Sequence, residues 1–338
     1  MIQNHFNDSR QVRKFLCERI LGCRVMVVGD IMLDRYYFGE VNRISPEAPV
    51  PVAQIKEVKE RLGGAANVCH NLARLGCQVE LAGMTGNDFL RTTMTTLLLK
   101  QGITAEGLII ASDRPTTSKT RVIGGHQQII RLDFEDITRL GQTLERQLQN
   151  YILTKLPTVQ SVIISDYGKG VCTPKLCQMI INASKARSIP VVIDPKGIDW
   201  RKYKGAFLIT PNLKELSEAA RTQVVNEHND VEKAAQKLRS RYQLNNILAT
   251  RSEKGLSLIN ETDSIHVPTT AQEVFDVSGA GDTVVAVMGA ALADGMILAD
   301  AAQLANLAAG IVVGKLGTYA ISQEELLRAV GLTGSEQT

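Results

Sequence analysis

The densest chemical signal in the sequence is Asp276-Val277-Ser278-Gly279-Ala280-Gly281-Asp282-Thr283, followed at once by an apolar run at 284–292. Gly279 and Gly281 let the backbone turn tightly with its N–H groups aimed one way, and a helix starting there adds the positive end of its dipole. Such a turn is an anion hole fit for a phosphate, formed by Gly279, Ala280 and Gly281, with the Asp282 carboxylate beside it to accept a proton. A dinucleotide fingerprint is excluded, because its third glycine would fall at position 284, which is Val. The simpler alternative for Asp282 is a helix N-cap. The dipole predicts a carboxyl below the usual value of about 3.9, hence a feeble base. A feeble base suffices where the attacking hydroxyl becomes acidic late, as in a loose phosphoryl-transfer transition state.

A second set of polar residues follows apolar segments. Unalternated Val- and Ile-rich runs at 25–28, 162–164, 191–193, 207–209 and 247–249 lead respectively to Asp30 and Asp34, Asp166, Asp194 and Lys196, Asn212, and Thr250. Runs of this kind, separated by helical periodicity, predict strands buried on both faces, hence an α/β protein with a mainly parallel central sheet and helices on both faces. Ligands of open α/β sheets bind outside the carboxyl ends of the strands, so these polar residues are expected to share one crevice. Two further segments, 50–58 and 116–133, are extended and partly alternating, and the second turns at Gly124-Gly125 as a hairpin. Together they predict a small projecting sheet, a lid over the crevice.

Composition narrows the partners. In 338 residues, Lys plus Arg number 38 against 35 Asp plus Glu, a net charge of +3 with no basic run, which argues against nucleic acid or a membrane surface and for a small molecule. Cys17, Cys23, Cys69, Cys77, Cys172 and Cys177 form no C-x-x-C pair, and reduced, mostly buried thiols in the cytoplasm are expected. The five histidines, His126 among them, have no metal or triad spacing. Val12, Phe15, Leu16 and Ile20 share one helical face, so 1–24 reads as a helical extension ending near Gly22. No transmembrane segment is expected, since the most apolar stretch stops at Asp294 after about ten residues.

Over roughly 25–315 the chain resembles the ribokinase-like (PfkB) carbohydrate kinases. Gly63-Gly64-Ala65-Ala66-Asn67-Val68 is similar to that family's sugar-contacting glycine pair and Asn, and Asp276 to Asp282 to its signature, whose last Asp is the catalytic base. Asn212-Leu213-Lys214-Glu215 resembles the family's Asn-x-x-Glu, in which Glu holds Mg²⁺ through water, although the same string is a helix-capping pattern. The stretch containing Thr250, Ser252 and Gly255 resembles its nucleotide loop. The resemblance thus implies ATP and Mg²⁺ as cofactors, while Val277, where Thr is usual, leaves a monovalent-cation site open.

Within the family the likeness is to D-glycero-β-D-manno-heptose 7-phosphate kinases of lipopolysaccharide-core biosynthesis. It lies in Val27-Val28-Gly29-Asp30-Ile31-Met32-Leu33-Asp34, Asn42-Arg43-Ile44-Ser45-Pro46-Glu47-Ala48-Pro49, Ser165-Asp166-Tyr167-Gly168-Lys169-Gly170 and Asp194-Pro195-Lys196-Gly197. It implies one kinase domain over 25–338, with lid segments at about 35–60 and 114–133 and a homodimer formed through the lid. The nucleotidyltransferase domain of bifunctional members is not expected within this chain. Asp34, Gly63, Gly64, Asn67, Gln128 and Asp166 are the candidate sugar contacts, and Arg121, Arg131, Lys169 and Lys196 the candidate cations for a phosphate on the sugar. Two alternatives stay open: another sugar or sugar phosphate as acceptor, and a non-catalytic module that senses nucleotide or sugar.

Overall fold

The computed structural model describes residues 6–125, 127–271, 273–315 and 317–331; His126 lies outside them. The chain opens with α1 (Ser9–Lys14), continued by a π turn (Phe15–Arg19) and a 3-10 turn (Ile20–Gly22). Val12, Phe15, Leu16 and Ile20 are all buried, so tertiary packing of one apolar face holds a segment too short to be helical alone.

The remaining elements in order are β1 (Arg24–Gly29), β2 (Ile31–Ile44), β3 (Pro51–Gly64), α2 (Ala65–Leu75), β4 (Gln78–Gly86), α3 (Phe89–Lys100), β5 (Leu108–Ala111), β6 (Ser118–Gly124), β7 (Gln127–Phe134), α4 (Gln142–Lys155), β8 (Ser161–Ser165) and α5 (Pro174–Lys185). They continue with β9 (Val191–Asp194), β10 (Leu208–Ile209), α6 (Leu213–Ala220), α7 (His228–Tyr242), β11 (Asn246–Thr250), β12 (Leu256–Ile259), β13 (Ser264–Val267), α8 (Ala280–Ala293), α9 (Leu298–Val312) and α10 (Gln323–Ala329).

Nine strands form the central sheet in the order β13-β12-β11-β10-β9-β8-β1-β4-β5, parallel except for the last two pairings at the β13 edge, which are antiparallel. All five strands predicted from the apolar runs belong to it. Strand β1 shows why those runs do not alternate: Val25 and Val27 enter one core with α2, α8 and α9, while Met26 and Val28 enter the other with α4 to α7. The strand order reverses beside β1, because the chain leaves β1 towards β4 and β5 and returns on its other side at β8. That reversal is where a crevice opens in such sheets.

The second sheet has the order β3-β2-β6-β7. The predicted hairpin is β6–β7, paired antiparallel, and the predicted extended segment is part of β3. Its other long strand, β2, does not read as a strand from the residue pattern, although its outer part lies in the lid segment at about 35–60 that the resemblance implies. It begins fully buried at Ile31–Asp34 and ends exposed, so neither strand signature runs its full length. By leaving the floor beside β1 and running out into the small sheet, β2 ties the lid directly to the crevice.

Candidate active site

Glycines open the space in which the polar side chains meet. A Cβ on Gly63 would lie 2.4 Å from Asp34 Oδ2, so the end of β3 passes the carboxylate only as glycine. Gly279 takes φ +83°, caps α8, and would press a Cβ to 3.1 Å from Asn67 Nδ2. Asp276 braces the turn, accepting from the Ser278 and Gly317 amides, both at 2.9 Å. Of the first-turn amides of α8, that of Ala280 donates to the Val277 carbonyl at 3.3 Å, while that of Gly281 has no intrahelical acceptor and Gly281 is exposed there.

Asp282 is the third residue of α8 and not its cap. Its Oδ2 accepts from Asn67 Nδ2 at 2.6 Å and its Oδ1 from the Tyr167 hydroxyl at 2.5 Å. Burial pushes its carboxyl up to about 6, the two hydrogen bonds pull against this, and the charge of Asp34 adds to the rise. The expected downward shift is therefore reversed. A helix dipole is worth about 0.3–1 kcal/mol at a surface, less than one pKa unit, whereas burial of a carboxylate moves it by several. The base is thus stronger than the sequence implied.

Around it, Asp34 Oδ1 accepts from Arg121 Nη1 at 2.6 Å. Burial pulls the Arg121 guanidinium down, but Asp34, with Tyr36 and Asp133 adding to it, holds it above its ordinary value. Asn67 is fully buried, and its Oδ1 has no hydrogen-bond partner among the described residues. A buried amide oxygen left unpaired costs about 1–3 kcal/mol, so a ligand hydroxyl would be well received there. Asp194, at the end of β9, is pushed well up by burial and then by the charges of Asp282 and Glu215.

The other candidate residues divide. Among the proposed phosphate cations, Arg131 pairs with Asp133 and Lys169 with Glu135, whereas Lys196 pairs with Glu215 at 3.0 Å on the side of the Asn212 segment. Lys196 and Arg121, 2.6 Å from Asp34, are thus held by different carboxylates. Gln128 is exposed on β7. Asp166 anchors its own loop. Its carboxylate, 2% exposed, accepts from the Gly168 amide, Lys202 and the Tyr203 hydroxyl. Asp166 and Lys196 do line one cavity of about 660 Å³ with Arg139, Arg201 and Lys202.

On the far side, Asn212 and Glu215 form a capping box at the start of α6: Asn212 Oδ1 takes the Glu215 amide at 2.9 Å, and Glu215 Oε2 takes the Asn212 amide at 3.1 Å. The capping pattern is thus real, and it leaves Glu215 Oε1 with Lys196. Leu213 packs partly buried against the core, and Lys214 is exposed and pairs with Glu218. Thr250 bridges Asn212 across the sheet end, and the loop after it closes through the Arg251 amide on the Gly255 carbonyl at 2.8 Å, with Ser252 at φ +52°.

A carboxylate at the start of α8, set in the switch-point crevice opposite a glycine pair and Asn, agrees with the sequence pattern that fits residues 23–325, that of the pfkB family carbohydrate kinases. The chain belongs to that family. It is 48% identical over 307 residues to the bifunctional protein HldE of Methylobacillus flagellatus, which covers 89% of this chain and 62% of the relative. It is 43% identical over 325 residues to the HldE of Citrifermentans bemidjiense, covering 96% and 66%. The chain thus spans less than two thirds of the length of these curated relatives.

Solved structures agree on the pfkB fold. Escherichia coli phosphofructokinase-2 in complex with potassium superposes with a TM-score of 0.75 at 19% identity, covering 91% of this chain and 98% of that one. Thermotoga maritima ribokinase gives 0.72 at 21% identity, covering 91% and 99%. One pfkB-site residue escaped the sequence analysis as a candidate: Tyr167, whose hydroxyl meets Asp282 from 115 positions away. Its sequence signals are its place in the loop after β8 and in the segment 165–170 that carries the subgroup resemblance.

Proposed function

We propose that the chain transfers the γ-phosphoryl group of ATP to the anomeric C1 hydroxyl of D-glycero-D-manno-heptose 7-phosphate, giving the 1,7-bisphosphate for ADP-heptose and lipopolysaccharide-core synthesis. The observation that carries the chemistry is the buried Asp282 carboxylate, raised to about 6, beside the open first turn of α8. The heptose phosphate rests on the subgroup's sequence segments and on the similarity to HldE proteins.

In this mechanism Asp34 and the unpaired Asn67 Oδ1 hold sugar hydroxyls, and Asp282 takes the proton of the C1 hydroxyl as that oxygen bonds to the γ-phosphorus and the bond from the phosphorus to the leaving ADP breaks. The amides of Gly279 and Gly281 receive the transferring group's negative charge, while that of Ala280 closes the turn on the Val277 carbonyl. Asn212, Thr250, Ser252 and Gly255 border the nucleotide. Each Glu215 oxygen has one hydrogen-bond partner and so keeps one acceptor site for a metal-bound water, which fits Mg²⁺ held by few carboxylates. Bound there, the metal would neutralise phosphate charge. Assay with Mg-ATP and a panel of sugars, with products identified by phosphorus NMR, tests the whole reading. Phosphorylation of a hexose phosphate or pentose alone would replace the acceptor, and ligand binding without transfer would favour a sensing module.

Glu215→Gln should raise the Mg²⁺ concentration needed for half-maximal activity by about tenfold, because the charge that orders the water shell is gone. Gln can still serve the capping box, so α6 should keep its start. Calorimetry should find sugar affinity unchanged; a collapse of sugar binding with normal Mg²⁺ dependence would misplace this segment.

We also propose a homodimer through the lid, in the cytoplasm. Register puts Val58, Tyr37, Val122 and Ile130 in one row across all four lid strands, and Ile130, Leu132 and Phe134 are exposed on the same face of β7. The opposite face carries Asp34 and Arg121. An exposed apolar face of this kind on a small sheet asks for a cover. Ile130→Glu should convert a dimer to a monomer in sedimentation, and a wild-type monomer at micromolar concentration would refute the interface. The compartment is supported by six free cysteines, five of them buried, and no helix among the described residues is long and apolar enough to cross a membrane.

A further inference from the structure

Tyr167 and Asn67 approach Asp282 from different elements, one donor on each carboxylate oxygen. We propose that Tyr167 is a positioning residue for the Asp282 base, donating its phenolic hydrogen to Oδ1 so that the carboxylate is fixed in rotation and kept ionised. The proposal rests on Asp282 being the base.

With Asn67 alone, the carboxylate could pivot about the Oδ2 contact. The second donor removes that freedom, and since each oxygen of an ionised carboxylate has about two acceptor sites, one per oxygen remains for the attacking hydroxyl. Productive geometry is lost with misplacements of about 1 Å, so such a restraint has kinetic weight.

Tyr167 is itself held from below. Asp30, buried at the end of β1, accepts the backbone amides of Tyr167 at 2.8 Å, Lys169 at 3.0 Å and Val171 at 3.1 Å. One carboxylate thereby fastens the whole loop after β8 at the switch point of the sheet. Burial holds the Tyr167 hydroxyl well above its ordinary value, with the charges of Asp282 and Asp194 adding to this. It therefore stays a donor throughout the working range. The proton released by the acceptor hydroxyl goes to Asp282, and the tyrosine keeps its own.

The other charges facing Asp282 are Asp34 from β2, paired with Arg121 of β6, and Asp194 from β9, which lies by Glu215 and Lys196. None of these is altered by Tyr167→Phe, which removes one hydroxyl from a ring of the same shape. The variant should move the acidic limb of kcat/KM upward by about one pH unit, lowering activity about fivefold at pH 6 and much less at pH 8, with KM for ATP changed less than about twofold. Carboxyl-carbon NMR of aspartate-labelled protein, with Asp282→Asn identifying the resonance, should show the Asp282 midpoint rising in parallel without any substrate present.

A uniform loss at every pH with an unmoved limb, or an unmoved NMR midpoint, overturns the proposal. Unfolding of the variant would show in its melting temperature, and wild-type protein labelled with fluorotyrosine then serves instead. There the Asp282 midpoint should fall as the phenol becomes a stronger donor, and an unmoved midpoint counts against the proposal. Near-normal turnover of Asp282→Asn would instead overturn the base assignment beneath it.

Discussion

Asp282→Asn is expected to lower turnover by at least about 10², the lower bound for loss of a general base, with nucleotide affinity nearly unchanged. The fold should survive for a reason the structure supplies. Asp282 does not cap α8, since Gly279 does, so no helix cap is removed. Its folded carboxyl is raised, which means that ionisation is harder in the native state than in the unfolded one. Relative to a neutral group this costs nothing below about 4, where both states are protonated, and the cost grows as pH rises towards about 6. Two pKa units correspond to about 3 kcal/mol at most, so the neutral amide should melt at or above the wild type at pH 7.5. For the wild type, kcat/KM should fall tenfold per unit as pH drops below about 6. A variant with near-normal turnover would sink the assignment, and a variant that melts far below the wild type would show that the Asn67 and Tyr167 bonds matter more than the burial cost.

The parallel sheet was legible because strands buried on both faces need no alternation, and five Val- and Ile-rich runs say so directly. The crevice followed from that, since polar residues after such runs collect at the carboxyl edge. Strand β2 was not legible because its first four residues belong to the buried floor and its end to the exposed lid, and no single period covers both. The sign of the Asp282 shift could not be read either, because it depends on what covers the carboxylate, whereas sequence shows only the helix start. Pairings fail for the same reason: Arg121 finds Asp34 from 87 positions away, and Tyr167 finds Asp282 from 115. A string such as Asn212-Leu213-Lys214-Glu215 fits a capping box and a metal site equally, and the structure shows that the first does not exclude the second.

Heptose 7-phosphate should be preferred over unphosphorylated heptose by about 10² or more in kcat/KM. On the crevice face of the lid, Arg121 stands directly opposite Arg131, and Lys119 directly opposite Asp133. Asp133 is contacted by both Lys119 and Arg131, and Lys169, on the loop after β8, reaches the residue after β7 by pairing with Glu135. Cations thus outnumber the carboxylates that face them on this sheet edge, and a sugar phosphate brought under the lid adds the missing negative charge. Lys196, bonded to Glu215 of α6 and not to a carboxylate of this sheet edge, is not counted among these. Charge-assisted hydrogen bonds are worth roughly 1.5–3 kcal/mol each, and about 1.4 kcal/mol is a factor of ten, so two such bonds suffice for the stated preference. Arg131→Ala and Lys169→Ala should each erode it, raising KM for the phosphorylated sugar and leaving KM for ATP alone. Fructose 6-phosphate carries the charge on a shorter chain, so the hydroxyl and the phosphate cannot both be seated, and it should be a poor acceptor. Equal efficiency on heptose and its 7-phosphate, or a clear preference for ribose, would remove the heptose-phosphate reading. The chemistry at Asp282 would stand, because nothing in the base, its two donors or the α8 turn depends on what the far end of the sugar carries.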